Sequence, residues 1–137
     1  NVKKGQFLSP WDARHPVEKI QASGGQAMIC ERGACFGYQN LVVDPRSFPV
    51  LRRLGVPVVF DATHSLQLPG GAGDRTGGQR EFIPPVARAA VAAGVDGIFA
   101  EVHEDPVSSP SDAETMLRLE ELEPLLRDLL AIKVIVP

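Results

Sequence analysis

The chain has 137 residues, 44% of them hydrophobic and 23% charged, the composition of an ordinary globular domain. A formal net charge of −3 gives no broad basic field, which argues against nucleic acid and against an anionic membrane as partners. Two cysteines, Cys30 and Cys35, are too few for a disulfide framework, and no apolar run approaches the length of a membrane span.

Taken in order, the chain alternates strand and helix. Asn1-Val2-Lys3-Lys4 reads as the end of a first strand. A chain that opens this way, on Asn rather than Met, is expected to be part of a longer one. Trp11 to Ala22 follows as a helix, with Val17 and Ile20 at i, i+3 spacing. Ala27 to Cys30 is a second strand, ending in Glu31-Arg32-Gly33. Cys30 lies in its apolar run and is expected to be a buried free thiol in a reducing compartment.

Ser47 to Leu54 is a short second helix, and Val56 to Phe60 is a β-branched third strand running into Asp61-Ala62-Thr63-His64. A Gly-rich stretch from Leu68 to Arg80 breaks the rhythm, as expected of a mobile rim loop of the lid kind. Pro85 to Ala93 forms a third helix, with Val86, Ala89, Ala90 and Ala93 on one face and Gly94 as its C-cap. Gly97 to Ala100 is the fourth strand, continuing into Glu101-Val102-His103. Residues 111 to 131 form the longest helix candidate, begun by a Ser111/Glu114 capping box and kinked or divided at Pro124.

Four β/α units of about 30 residues make half of an eightfold barrel, which takes about 250 residues. Continuous apolar strands suit a parallel sheet covered on both faces. A four-strand doubly wound sheet is the alternative. Polar residues at every strand end favour the barrel, because barrel enzymes collect their chemistry on the C-terminal rim. The expected fold is therefore α/β, the C-terminal half of a (β/α)8 TIM barrel without its N-terminal half, with residues 1–137 as one unit.

Those strand ends hold the candidate chemistry. Lys3 or Lys4 points inward and can anchor a phosphate or carboxylate; the pair can equally be solvated. Arg32 offers a rigid fork of donors to phosphate, or a salt bridge to Glu31. His64, Glu101 and Asp112 supply one imidazole and two carboxylates, a set that suits Mn²⁺, Fe²⁺ or Zn²⁺. Against this, Asp112 falls where a first helical turn would favour any acidic residue. The Gly-rich stretch lacks the Lys-Ser/Thr ending of a phosphate-binding P-loop.

Asn1 to Phe7, Glu31-Arg32-Gly33 with Phe36-Gly37-Tyr38, Asn40 to Asp44, Asp61 to Ser65, Gly77-Gly78-Gln79-Arg80 and Glu101-Val102-His103 together resemble the 3-deoxy-D-manno-octulosonate 8-phosphate synthase family. The resemblance runs along nearly the whole chain and makes its strands the fifth to the eighth. It implies a transferase that condenses phosphoenolpyruvate with D-arabinose 5-phosphate and water, giving the eight-carbon sugar acid phosphate and phosphate. That product serves the inner core of lipopolysaccharide.

By the same resemblance Lys3, Arg32, His64 and Gln67 bind substrate, and His64 is also the catalytic residue. His64, Glu101 and Asp112 are the metal ligands of this half. A cytoplasmic tetramer is implied for the full-length protein, and no activity for this segment alone. The family has metal-dependent and metal-independent branches, distinguished by a Cys or Asn on the first barrel strand, a position that neither Cys30 nor Cys35 occupies. Ser111-Asp112-Ala113 and Val43 to Ser47 look more like the metal-dependent branch.

Three other readings compete. A 3-deoxy-D-arabino-heptulosonate 7-phosphate synthase shares much of the pattern, but Gly5-Gln6-Phe7, Phe36-Gly37-Tyr38 and Ala62-Thr63-His64 fit the eight-carbon synthase better. A non-catalytic half-barrel module would not need its strand-end polar residues. A nucleotide-binding domain would need a Gly-rich turn after an early strand.

Overall fold

The computed structural model describes residues 1–71, 73 and 76–136. Its centre is a four-stranded parallel sheet of β1 (Val2–Lys3), β2 (Ile29–Glu31), β3 (Val58–Asp61) and β4 (Gly97–Phe99). Spatial order follows chain order, without the reversal that marks a doubly wound sheet. Among the described residues the two outer strands have a partner on one side only. Helices α1 (Arg14–Ala22), α2 (Ser47–Arg52) and α3 (Ile83–Ala92) connect the strands, and α4 (Leu119–Ile135) follows the last.

Register explains which side chains go where. Lys3 pairs with Cys30, Cys30 with Val59 and Val59 with Gly97, and paired residues of parallel strands share a face. Alternation then puts Lys3, Cys30, Val59, Asp61, Gly97 and Phe99 on one side. The other side carries Val2, Ile29, Val58, Phe60 and Ile98, which pack with the helices in one hydrophobic cluster. Phe48 of α2 meets Phe60 of β3 edge to face at 5.8 Å between ring centroids, the geometry the ring quadrupoles prefer.

The helix side also holds an ion pair. Lys4 is buried, 3.4 Å from the buried Glu31 carboxylate, and donates to the carbonyls of Gly5, Leu8 and Gly33. The two adjacent lysines therefore have different jobs. Lys4 is a buried structural cation and only Lys3 faces the strand-end side.

Helix α3 begins with Pro84 and Pro85 in its first turn, where a missing N–H costs nothing. It ends as expected at Gly94, whose φ of +92° suits glycine. Its buried residues are Ile83, Ala87, Ala90 and Val91. Ala89, expected on the inner face, is exposed.

The expected helix over 111–131 needs a larger correction. Leu117–Arg118 is a strand segment paired in parallel with Val102–His103, and the helix starts only at Leu119. The apolar spacing around Leu117 matched a helix, but the paired backbone prevailed. Ser111 and Glu114 form no capping box. The reach-back bond belongs to the true start, where Glu121 accepts from the Arg118 N–H at 3.2 Å. The helix runs through Pro124 undivided.

Only Leu125 and Leu129 of α4 are buried; Leu126 and Leu130 stay exposed. Of the Gly-rich stretch, residues 72, 74 and 75 lie outside the described residues, and with them part of the expected lid. Its two ends are joined, Gln67–Leu68 pairing antiparallel with Gly77–Gly78.

Candidate active site

Asp61 organises the strand-end face. It is fully buried and ends β3 on the same side as Lys3. Its Oδ2 lies 2.7 Å from Lys3 Nζ and 2.8 Å from His64 Nδ1. Its Oδ1 accepts from the His64 N–H at 2.9 Å and from the Thr63 hydroxyl at 3.2 Å. Burial alone would push the Asp61 carboxyl up. The hydrogen bonds from His64 and Lys3 outweigh it and hold the group down at about 2.

His64 opens the short helical turn His64–Leu66 directly after β3. With Asp61 accepting, the proton sits on Nδ1, an assignment made from the hydrogen-bond network. The 3.3 Å between Lys3 Nζ and Nδ1 is then the spacing of two donors that share one acceptor. Nε2 is left with its lone pair free, 3.4 Å from Glu101 Oε1. A carboxylate on one imidazole nitrogen and an open lone pair on the other is how a metal-binding histidine is usually held. Phe99 supports the group from β4, with its ring 4.0 Å from Lys3 Nζ and 5.8 Å from the imidazole.

Asp112 completes the set, reaching the site from the loop after β4 and not from a first helical turn. One ligand atom each from His64, Glu101 and Asp112 lies within 4.8 Å of the others. Glu101 Oε2 is buried and without a hydrogen-bond partner among the described residues. A buried carboxylate oxygen is costly to leave unsatisfied. The donor set therefore fits a divalent ion, with the Glu101 oxygen and His64 Nε2 as natural ligands.

Arg32 and Gln67 extend the site. Gly33, at φ +84°, turns the chain straight after β2, and its N–H donates to Glu31 Oε1 at 2.7 Å. Glu31 is thus occupied by Gly33 and Lys4. Arg32 is free of it and donates instead to Gln67 Oε1 at 3.1 Å. Gln67 in turn donates through Nε2 to Asp112 Oδ1. A chain of polar contacts therefore links the expected anion anchor to the carboxylate cluster.

Every residue singled out from the sequence (Lys3, Arg32, His64, Gln67, Glu101 and Asp112) belongs to this connected group. Asp61 had been assigned no role. Alternation along Val59-Phe60-Asp61 would have placed it on the site face. Among the described residues His103 is not part of the ligand cluster, and its Nδ1 accepts from the Asp105 N–H at 3.0 Å.

Cys30 lies on the same face below Asp61, fully buried. Burial and then the Asp61 charge push its thiol up to about 11, only partly opposed by Lys3. Cys35 is exposed. At pH 8 iodoacetamide is expected to modify Cys35 and leave Cys30 unmodified until urea unfolds the chain, as peptide mass mapping would show. Equal labelling of both in the native state would contradict the burial of Cys30.

The family model described as the DAHP synthetase I family matches residues 1–135. A protein of Trichlorobacter lovleyi named 2-dehydro-3-deoxyphosphooctonate aldolase is 61% identical over 137 residues, covering 99% of this chain and 50% of the relative. Proteins of the same name from a Synechococcus species and from Acidithiobacillus ferrooxidans are 56% and 62% identical, over 97% and 93% of this chain and 47% and 46% of their own lengths. The chain spans about half the length of the curated relatives it matches. Strand-end residues gathered on one face and a family match over nearly every residue lead to one conclusion: the chain belongs to the DAHP synthetase I family.

Proposed function

We propose that residues 1–137 are the C-terminal half of a (β/α)8 barrel synthase that condenses phosphoenolpyruvate with D-arabinose 5-phosphate and water. The products are 3-deoxy-D-manno-octulosonate 8-phosphate and phosphate. The observation that carries this reading is convergence. Lys3, Arg32, His64 and Glu101 come from the ends of four different strands, yet Asp61 joins Lys3 to His64 and through it to Glu101, and Gln67 joins Arg32 to Asp112. The two chains of contacts meet where ligand atoms of His64, Glu101 and Asp112 lie within 4.8 Å of one another. The relatives' shared name supports the eight-carbon product over the seven-carbon one.

In this reading Lys3 and Arg32 hold the anionic phosphoenolpyruvate. Arg32 presents a planar fork of donors, and Lys3 a point charge fixed by Asp61 and Phe99. Gln67 orients Arg32 on one side and Asp112 on the other. His64, Glu101 and Asp112 hold a divalent ion, as in the metal-dependent branch. When bound, the ion polarises an oxygen ligand or lowers the pKa of water. A new bond joins C3 of phosphoenolpyruvate to the aldehyde carbon, water adds at C2, and phosphate leaves. Holding both reactants at one mouth replaces an entropically costly encounter with an oriented one. The same reading makes the full-length protein a cytoplasmic homo-oligomer that serves lipopolysaccharide synthesis. Among the described residues no helix is long and apolar enough to cross a membrane.

The test is reconstitution. Residues 1–137 alone should release no phosphate from phosphoenolpyruvate in the presence of arabinose 5-phosphate, because the strands expected to complete the site belong to the other half. The full-length protein should release it, and faster with arabinose 5-phosphate than with erythrose 4-phosphate. Preference for erythrose 4-phosphate would move the assignment to the seven-carbon synthase. Turnover by residues 1–137 alone would defeat the half-barrel reading.

A further inference from the structure

Asp112 has a φ of +53°, a backbone conformation that L-residues adopt at a cost and keep only where the surroundings hold it. Within its turn the Thr115 and Met116 N–H groups both donate to the Asp112 carbonyl at 3.0 Å, and the Thr115 hydroxyl donates to it at 3.4 Å. A second constraint comes from the far end of the Gly-rich stretch, Gly77-Gly78-Gln79-Arg80, which the proposed chemistry leaves without a role.

Gly78 packs directly under this turn. A Cβ there would sit 2.1 Å from Thr115 Cγ2 and 3.0 Å from the Glu114 carbonyl carbon and oxygen. Two residues on, Arg80 Nη2 donates to the Ala113 carbonyl. Arg80 Nε is buried with no partner among the described residues, so part of the guanidinium leaves water while making this contact. The Gln79 N–H donates to the Leu66 carbonyl at 3.1 Å. The same stretch is thereby tied to the turn that carries His64, and its pairing with Gln67–Leu68 ties it to the side chain that holds Asp112.

We propose that Gly78 and Arg80 are positioning residues. They clamp the 112–115 turn from outside and hold the Asp112 carboxylate against His64 and Glu101. Residues 77–80 are thus a template for a metal ligand. This rests on the metal-centre reading above, so the test measures clamp and metal separately.

In the full-length protein, Arg80→Met should speed amide exchange at Thr115 and Met116 by roughly two- to tenfold, the loss of one supporting hydrogen bond. It should also weaken Mn²⁺ binding, measured by the EPR signal of free ion, by roughly 10–100-fold. Arg80→Lys, which can still donate to the Ala113 carbonyl, should recover part of both. Gly78→Ala should weaken Mn²⁺ similarly. Gly78→Ala combined with Thr115→Ser, which removes the clashing Cγ2, should restore part of the loss. Unchanged exchange in Arg80→Met would overturn the clamp. So would Mn²⁺ affinity within about threefold of wild type while Asp112→Asn abolishes binding. A higher KM for phosphoenolpyruvate with Mn²⁺ affinity intact would make Arg80 a substrate contact instead. If wild type and Asp112→Asn bind Mn²⁺ equally poorly while exchange still rises in Arg80→Met, the metal reading fails and the clamp survives as a purely structural device.

Discussion

His64→Ala in the full-length protein is expected to abolish tight Mn²⁺ binding and to lower the condensation rate by at least about a thousandfold. Transition-state charge stabilisation by a bound ion is worth several kcal/mol, and each 1.36 kcal/mol is tenfold in rate. The imidazole is the only nitrogen donor in the His64, Glu101 and Asp112 cluster. Without it two carboxylates face each other across a partly buried site and repel. Phosphoenolpyruvate should still bind, because Lys3 keeps its partner Asp61 at 2.7 Å and Arg32 its partner Gln67 at 3.1 Å. Isothermal titration of phosphoenolpyruvate and single-turnover kinetics separate the two effects. Near-normal turnover without bound metal would place the protein in the metal-independent branch.

Asp61→Asn should have the second largest effect, on both stability and site geometry. Removing one member of a buried charge pair costs about 3–5 kcal/mol. Here the Lys3 side chain is 37% exposed and can return its charge to water, so the expected loss is on the order of 2 kcal/mol. The amide can donate to His64 Nδ1 and select the other tautomer, which puts the proton on Nε2 and blocks ligation. Mn²⁺ affinity should fall roughly 10–100-fold. The carboxyl lies at 3.8 ordinarily and at about 2 in the fold. Its contribution is therefore complete above about pH 5 and is lost as pH falls through 3.8 toward and below 2. Urea denaturation of both proteins should show a stability gap at pH 7 that narrows at pH 3. A gap that widened on acidification would contradict the ion-pair account.

Much of the site was legible because strand ends announce themselves. Apolar runs closing on Lys, Arg, His or Glu put polar side chains at the end of each strand, and the resemblance then named the same residues. The lysine pair shows the limit. Alternation says that one of Lys3 and Lys4 faces the site, but the register with Cys30 and the buried Glu31 decide which. Arg32 next to Glu31 looks like a ready salt bridge, yet Glu31 is taken up by Lys4 and the Gly33 N–H. The helix expected from residue 111 failed because apolar spacing around Leu117 fits strand and helix alike. The choice came from Val102–His103, which offered that backbone a partner.

The sequence by itself determined the β/α alternation, the family and the identity of the polar strand-end residues. All three rest on local periodicity and short motifs, which need no knowledge of distant neighbours. Tertiary structure alone decided that Asp61 anchors Lys3 and His64 together, that Gln67 bridges Arg32 to Asp112, and that Asp112 sits in a left-handed turn packed against Gly78 and Arg80. Each of these depends on side chains far apart in the chain being brought within hydrogen-bond reach, and only strand register and loop packing set those distances.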